Sequence, residues 1–182
     1  MNIANKLTLL RIVLIPVFIV FYYINIPYWN YYATLIFIIA ALTDLFDGRL
    51  ARKRDIVSNF GKLMDPIADK LLVSSALILL VDWGHLNAVI AIVLIGREFI
   101  VSGLRLVAAA EGKVLAADTL GKLKTVVQII AICALLLEDG FFALWNIPFG
   151  FVMILLSVVL SVWSAVNYFV KNREIVAHIF KK

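Results

Sequence analysis

Apolar residues fill six long runs along the chain, at about 6–25, 32–54, 59–82, 87–110, 119–138 and 146–171, and polar residues gather in the short gaps. A helix needs about 20 such residues to cross roughly 30 Å of hydrocarbon, and each run is close to or above that length. The gaps carry the punctuation expected between helices: Asn25-Ile26-Pro27, Ser58-Asn59, Asp82-Trp83-Gly84, Glu111-Gly112-Lys113 and Glu138-Asp139-Gly140. The pattern predicts an all-α polytopic membrane protein with six transmembrane helices in one bundle. Too little chain is left over for a separate soluble unit, so residues 1–182 are expected to form a single domain.

Composition agrees, with 64% hydrophobic and 16% charged residues and a mean hydropathy of +1.02. Lys and Arg collect on the cytoplasmic side of membrane proteins, and here the first, third and fifth gaps contain none. Basic residues fall instead at the N-terminus, around Arg49 to Lys62, around Arg105 to Lys124, at the C-terminus, or inside a run, as Lys70 and Arg97 do. With an even number of spans, this places both termini in the cytoplasm of a multi-pass cell-membrane protein. Trp29, Trp83 and Trp145 lie beside the gaps without basic residues, as an aromatic belt at the outer interface would. The net charge of +5 is accounted for by attraction to anionic lipid headgroups, with no nucleic acid partner implied. Cys133, the single cysteine, excludes an intrachain disulfide and reads as a small apolar side chain. The first run follows Lys6 and Arg11 and ends in Phe21-Tyr22-Tyr23-Ile24-Asn25 without a small-residue cleavage site, which marks a retained helix rather than a signal peptide.

Against this background, residues 44–69 stand apart. Four carboxylates, Asp44, Asp47, Asp65 and Asp69, fall where the second run ends and the third begins. An acid at membrane depth costs a few kcal/mol unless it is paired, hydrated or bound to a cation, which makes such residues functional-site candidates. Spacings of three and four put each pair on one face of its helix, and the short connection brings the two faces together. Carboxylate oxygens suit hard divalent cations, Mg2+ above all and Mn2+ as a substitute. Gly48 and Gly61 clear space beside the acids, and Arg49, Arg52, Lys53 and Arg54 supply donors shaped for phosphate. Acids and bases that merely neutralise one another as buried salt bridges are the structural alternative.

The motif D-x2-D-G-x2-A-R-x8-G-x3-D-x3-D, filled by Asp44, Asp47, Gly48, Ala51, Arg52, Gly61, Asp65 and Asp69, resembles the signature of the CDP-alcohol phosphatidyltransferases, without a departure from it. The resemblance implies metal held by Asp44, Asp47 and Asp65, with Asp69 near the acceptor hydroxyl as the catalytic base and Asp69 also a possible metal ligand. It further implies that Asn5, Thr8, Gly48, Arg52 and Ser58 bind the CDP-lipid. Helix capping is the competing role for Asn5, Thr8 and Ser58. A homodimer is expected on the same grounds.

Acceptors differ within the family. Arg97-Glu98 and Ser102-Gly103-Leu104-Arg105 in the fourth run, with Gly121-Lys122-Leu123-Lys124-Thr125 opening the fifth, resemble members whose acceptor carries a phosphate. Arg97, Arg105, Lys122 and Lys124 are therefore the candidate acceptor-phosphate residues; local ion pairing for Arg97 and simple inner-face anchoring for the lysines are the alternatives. The implied reaction moves the phosphatidyl group of CDP-diacylglycerol to sn-glycerol 3-phosphate, giving phosphatidylglycerophosphate and CMP beside membrane lipids. Other acceptors, yielding cardiolipin, phosphatidylserine or phosphatidylinositol phosphate, are the nearest alternatives. A cation transporter is a further one, but it leaves Gly48, Ala51 and Arg52 unexplained, and a prenyltransferase requires denser D-D-x-x-D clusters that the chain lacks.

Overall fold

A computed structural model describes residues 3–24, 26–54, 59–110, 119–137 and 148–173; within these, the side chains at 3–7, 44–54, 59–63, 65, 66, 110 and 119 are not among those described. The described residues form six helices and no strands: α1 (Ile3–Tyr23), α2 (Trp29–Arg54), α3 (Asn59–Asp82), α4 (Ala88–Ala110), α5 (Thr119–Leu136) and α6 (Phe149–Lys171). Each end lies within three residues of the limits expected from hydropathy. By length and composition, α6 is the one helix among the described residues with a stretch apolar enough to cross a membrane, at mean hydropathy 2.4, while Thr8–Tyr23 and Trp29–Thr43 are shorter apolar stretches.

The helices alternate in direction. α3 packs against α1, α2, α4 and α5, α1 lies along α2, and α5 makes its most extensive contact with α6. Buried residues on α3 recur at helical spacing from Ala68, and Leu72, Ala76, Leu79 and Leu80 join the core cluster with Phe18 of α1, Phe37 of α2, Leu94 of α4 and Ile132 of α5. α6 buries Gly150, Ile154, Ser157, Ser161, Ser164 and Tyr168, a three-four alternation that sets small residues against the neighbouring helices and allows close approach.

At one end, the C-termini of α1 and α3 meet the N-terminus of α2. Trp29 and Trp83 have ring centroids 4.4 Å apart, and Tyr22 stands edge-on to both at 5.2 and 5.8 Å. The Tyr22 hydroxyl donates to the carbonyl of Leu79 at 2.5 Å, and the Tyr23 hydroxyl to Asp82 Oδ2 at 2.9 Å. Two of the three tryptophans expected in an aromatic belt are thus joined in one aromatic cluster; Trp145 lies outside the described residues. Gly84 closes α3 with φ of 82°, a left-handed conformation that lets the amides of His85 and Leu86 reach back to Leu80. Asn87 then opens α4, its side-chain oxygen accepting from the Val89 amide at 2.8 Å.

Candidate active site

The opposite end of the bundle is the polar one. It gathers the N-terminal halves of α1, α3 and α5 and the C-terminal halves of α2, α4 and α6. Asp44, Asp47, Gly48 and Arg52 ride on the last turns of α2, and Asp65 and Asp69 on the first turns of α3. Only residues 55–58 separate these helices, which pack against each other, so both halves of the acid motif lie at the same end. The side chains of Asn5, Asp44, Asp47, Gly48, Arg52 and Asp65, and Ser58 altogether, lie outside the described residues. Among those described, no group of three or more His, Cys, Asp or Glu is placed to hold a metal. Thr8 is fully buried on α1, as is Arg11 one turn further on.

Asp69 is partly buried and lines a small cavity of about 20 Å3 with Lys70, Glu98, Lys124, Thr125 and Gln128, beside the apolar Val73 and Ile129. That volume holds about one water molecule. Lys124, only 1% exposed, pairs through Nζ with Glu98 Oε1, and Arg97 Nη1 approaches the same oxygen at 3.4 Å. Glu98 therefore joins a cation of α5 to one of α4. The pairing is what permits Lys124 to sit so deep, because an isolated ammonium there would be several kcal/mol less stable.

Arg97 is held further by α6. Its Nε donates to the Ser161 carbonyl at 3.3 Å and its Nη2 to Ser164 Oγ. Gly121 of α5 lies over this contact, where a Cβ would come within 3.8 Å of both Arg97 Nη2 and Ser164 Oγ. Two turns along α4, Arg105 Nε donates to the Tyr168 hydroxyl at 3.3 Å, with the guanidinium 5.1 Å from that ring's centre. Both arginines thus have fixed stems and planes, a preorganised way of presenting forked donors to an anion.

Of the expected acceptor-phosphate residues, Arg97 and Lys124 share one network and Arg105 is anchored along the same helix as Arg97. Lys122 points outward and is exposed, so it stands apart from the cavity. Sequence reading named Glu98 only as a local partner for Arg97, which the 3.4 Å contact bears out, and did not single out Gln128, Ser161, Ser164 or Tyr168. The signal for Gln128 was its place one turn after Lys124 in an otherwise apolar run; the α6 residues gave none, since serines in an apolar helix read equally well as packing.

Gln128 is 1% exposed and its amide nitrogen has no hydrogen-bond partner among the described residues. Leaving such a donor unsatisfied costs about 1–3 kcal/mol.

The helix ends that carry the two acid pairs thus meet at one junction, at the same end of the bundle as the arginine-lysine network of α4 and α5. The family model for CDP-alcohol phosphatidyltransferase matches residues 1–163, and the chain belongs to that family. It is 46% identical to the CDP-diacylglycerol--glycerol-3-phosphate 3-phosphatidyltransferase of Bacillus subtilis, over 95% of this chain and 96% of the relative. The enzymes of the same name from Rickettsia bellii and Shigella flexneri are 37% and 38% identical, each over 92% of this chain and 93% and 92% of their own lengths.

Proposed function

We propose that the protein is a single-domain, multi-pass membrane enzyme that transfers the phosphatidyl group from CDP-diacylglycerol to sn-glycerol 3-phosphate, giving phosphatidylglycerophosphate and CMP. The observation that carries this reading is that Asp69, the last acid of the family motif, opens on the same cavity as Lys124, whose network reaches Arg97. A base and an anion-binding set then flank one small space. Relatives at 37–46% identity that bear this activity in their names support the choice of acceptor.

The membrane setting is supported by an inside-out distribution. Ile92 and Leu106 are each 68% exposed on outward faces, whereas Arg11, Lys124, Gln128 and three serines of α6 are buried. Such faces suit lipid rather than water. Basic residues around the α2–α3 junction favour a cytoplasmic active site with both termini on that side.

Four carboxylates in two helical pairs are a hard-oxygen donor set, which fits Mg2+ or Mn2+. Asp44, Asp47 and Asp65, with or without Asp69, would hold the ion. When bound, it supplies charge stabilisation for the diphosphate oxygens. The chain's own residues do the rest. Arg97, Arg105 and Lys124 bind the acceptor's phosphate and fix its primary hydroxyl near Asp69. The Asp69 carboxylate accepts the hydroxyl proton as the oxygen bonds to the phosphatidyl phosphorus; the phosphorus–oxygen bond to CMP breaks, and CMP leaves with that electron pair. Asn5, Thr8, Gly48, Arg52 and Ser58 are the assigned contacts to the CDP-lipid.

Purified protein is assayed for CMP release with sn-glycerol 3-phosphate, serine, inositol phosphate or phosphatidylglycerol as acceptor, with and without chelator. Release with sn-glycerol 3-phosphate alone, abolished by chelator and lowered about 100-fold or more by Asp69→Asn, is the expected result. Labelled lipid from another acceptor and none from sn-glycerol 3-phosphate rejects the assignment. Steady turnover in chelator rejects the metal.

A further inference from the structure

We propose that Gln128 is a specificity-determining residue that reads a hydroxyl of the acceptor, the secondary one adjacent to the attacking primary hydroxyl. This rests on the acceptor assigned above. Three observations converge. The cavity, about 20 Å3, has room for one water-sized group, which suits a single hydroxyl but not a phosphate. It is bounded by Asp69 on α3 and Gln128 on α5, so a group entering it lies beside the carboxylate assigned as base. The Gln128 amide nitrogen, on a side chain 1% exposed, has no partner among the described residues.

The other described polar groups around the cavity are differently disposed. Lys124 pairs with Glu98 and is assigned with the other cations to the acceptor's phosphate, Lys70 adds a further cation to the lining, and the Thr125 hydroxyl donates back to the Gly121 carbonyl at 3.0 Å. Gln128 therefore offers a donor whose acceptor arrives with the substrate. A vicinal diol monophosphate supplies the match: its phosphate engages the cations, one hydroxyl gives its proton to Asp69, and the neighbouring hydroxyl oxygen accepts from Gln128 Nε2. Buried amides that wait for a substrate hydroxyl discriminate strongly against analogues without it, since the analogue leaves the donor unpaired.

The test compares sn-glycerol 3-phosphate with 3-hydroxypropyl phosphate, which lacks the secondary hydroxyl, using the full-length protein in lipid-detergent micelles. Wild-type kcat/KM is expected to be about 10- to 100-fold lower for the deoxy acceptor. Gln128→Met should lose a similar factor on sn-glycerol 3-phosphate yet change less than about threefold on the deoxy acceptor, erasing the discrimination. An equal loss on both acceptors, as expected if Gln128 merely holds a structural water, overturns the proposal, and so does a wild-type protein indifferent to the hydroxyl. Gln128→Asn, which keeps the amide but withdraws it by one methylene, covers the case in which the methionine variant fails to fold. Intermediate discrimination supports the proposal, and discrimination equal to wild type overturns it. Failure of the acceptor assignment reads differently: the wild-type protein then makes lipid from neither phosphate but releases CMP with another acceptor, and the inference falls with it.

Discussion

Replacing Glu98 by Gln removes one negative charge and almost no volume from the contact between α4 and α5. Lys124, 1% exposed, loses the carboxylate with which it pairs, and Arg97 loses one of its contacts while keeping Ser161 and Ser164. Breaking a buried pair by removing one partner typically costs 3–5 kcal/mol, because the surviving charge stays in low dielectric. Glu98 is itself 21% exposed, so some water reaches the pair and the lower figure applies, about 3 kcal/mol. For a chain of this size that corresponds to a fall in Tm on the order of 6–12 °C. Tryptophan-fluorescence melting of the detergent-purified protein measures it. The charge account makes a second demand: Glu98→Gln/Lys124→Met, which leaves no unpaired ion, should recover most of the lost Tm while remaining inactive, because Lys124 is assigned to acceptor binding. A single variant melting within about 1 °C of wild type, or a double variant no more stable than the single, would refute the reasoning.

Two smaller perturbations check the neighbouring contacts. Ser164→Ala releases one of the bonds that fix Arg97, and it should raise KM for sn-glycerol 3-phosphate about three- to tenfold while leaving kcat within twofold, as steady-state kinetics would reveal. Tyr22→Phe deletes the hydroxyl that bonds the Leu79 carbonyl at the far end of the bundle; it should lower stability by about 1 kcal/mol in a melting experiment and leave kcat and KM unchanged.

The helices were legible because their physics is local. Runs of apolar residues broken by Gly, Pro and Asn mark the ends of α1 to α6 within three residues, and the spacing of Asp44 and Asp47 fixes that they share a face of α2. The acid motif and the cations of α4 and α5 were likewise readable, being charges where charge is expensive. What the sequence withheld is set by packing between elements far apart in the chain. Nothing near Arg97 announces that Ser161 and Ser164 hold it, since those serines share their spacing with Ser157, whose hydroxyl merely turns back to Ile154 at 2.8 Å. Lys122 and Lys124 looked equivalent, yet two residues rotate a helix by about 200°, which sends one outward and the other into the bundle. Trp29 and Trp83 stood out by residue type and position; that they touch depends on how α2 and α3 cross.

That contact carries a mechanical consequence. Tyr22, Trp29 and Trp83 clasp three helices at the end remote from the acids, so any spreading of α2 from α3 pivots there, like forceps held at the joint. Over the roughly 39 Å of a 26-residue helix, a tilt of about 5° moves the free tips by about 3 Å. The tips carry the aspartates, so the widest aperture would open at the place to which the proposed function assigns the diphosphate of a grease-tailed nucleotide sliding in sideways.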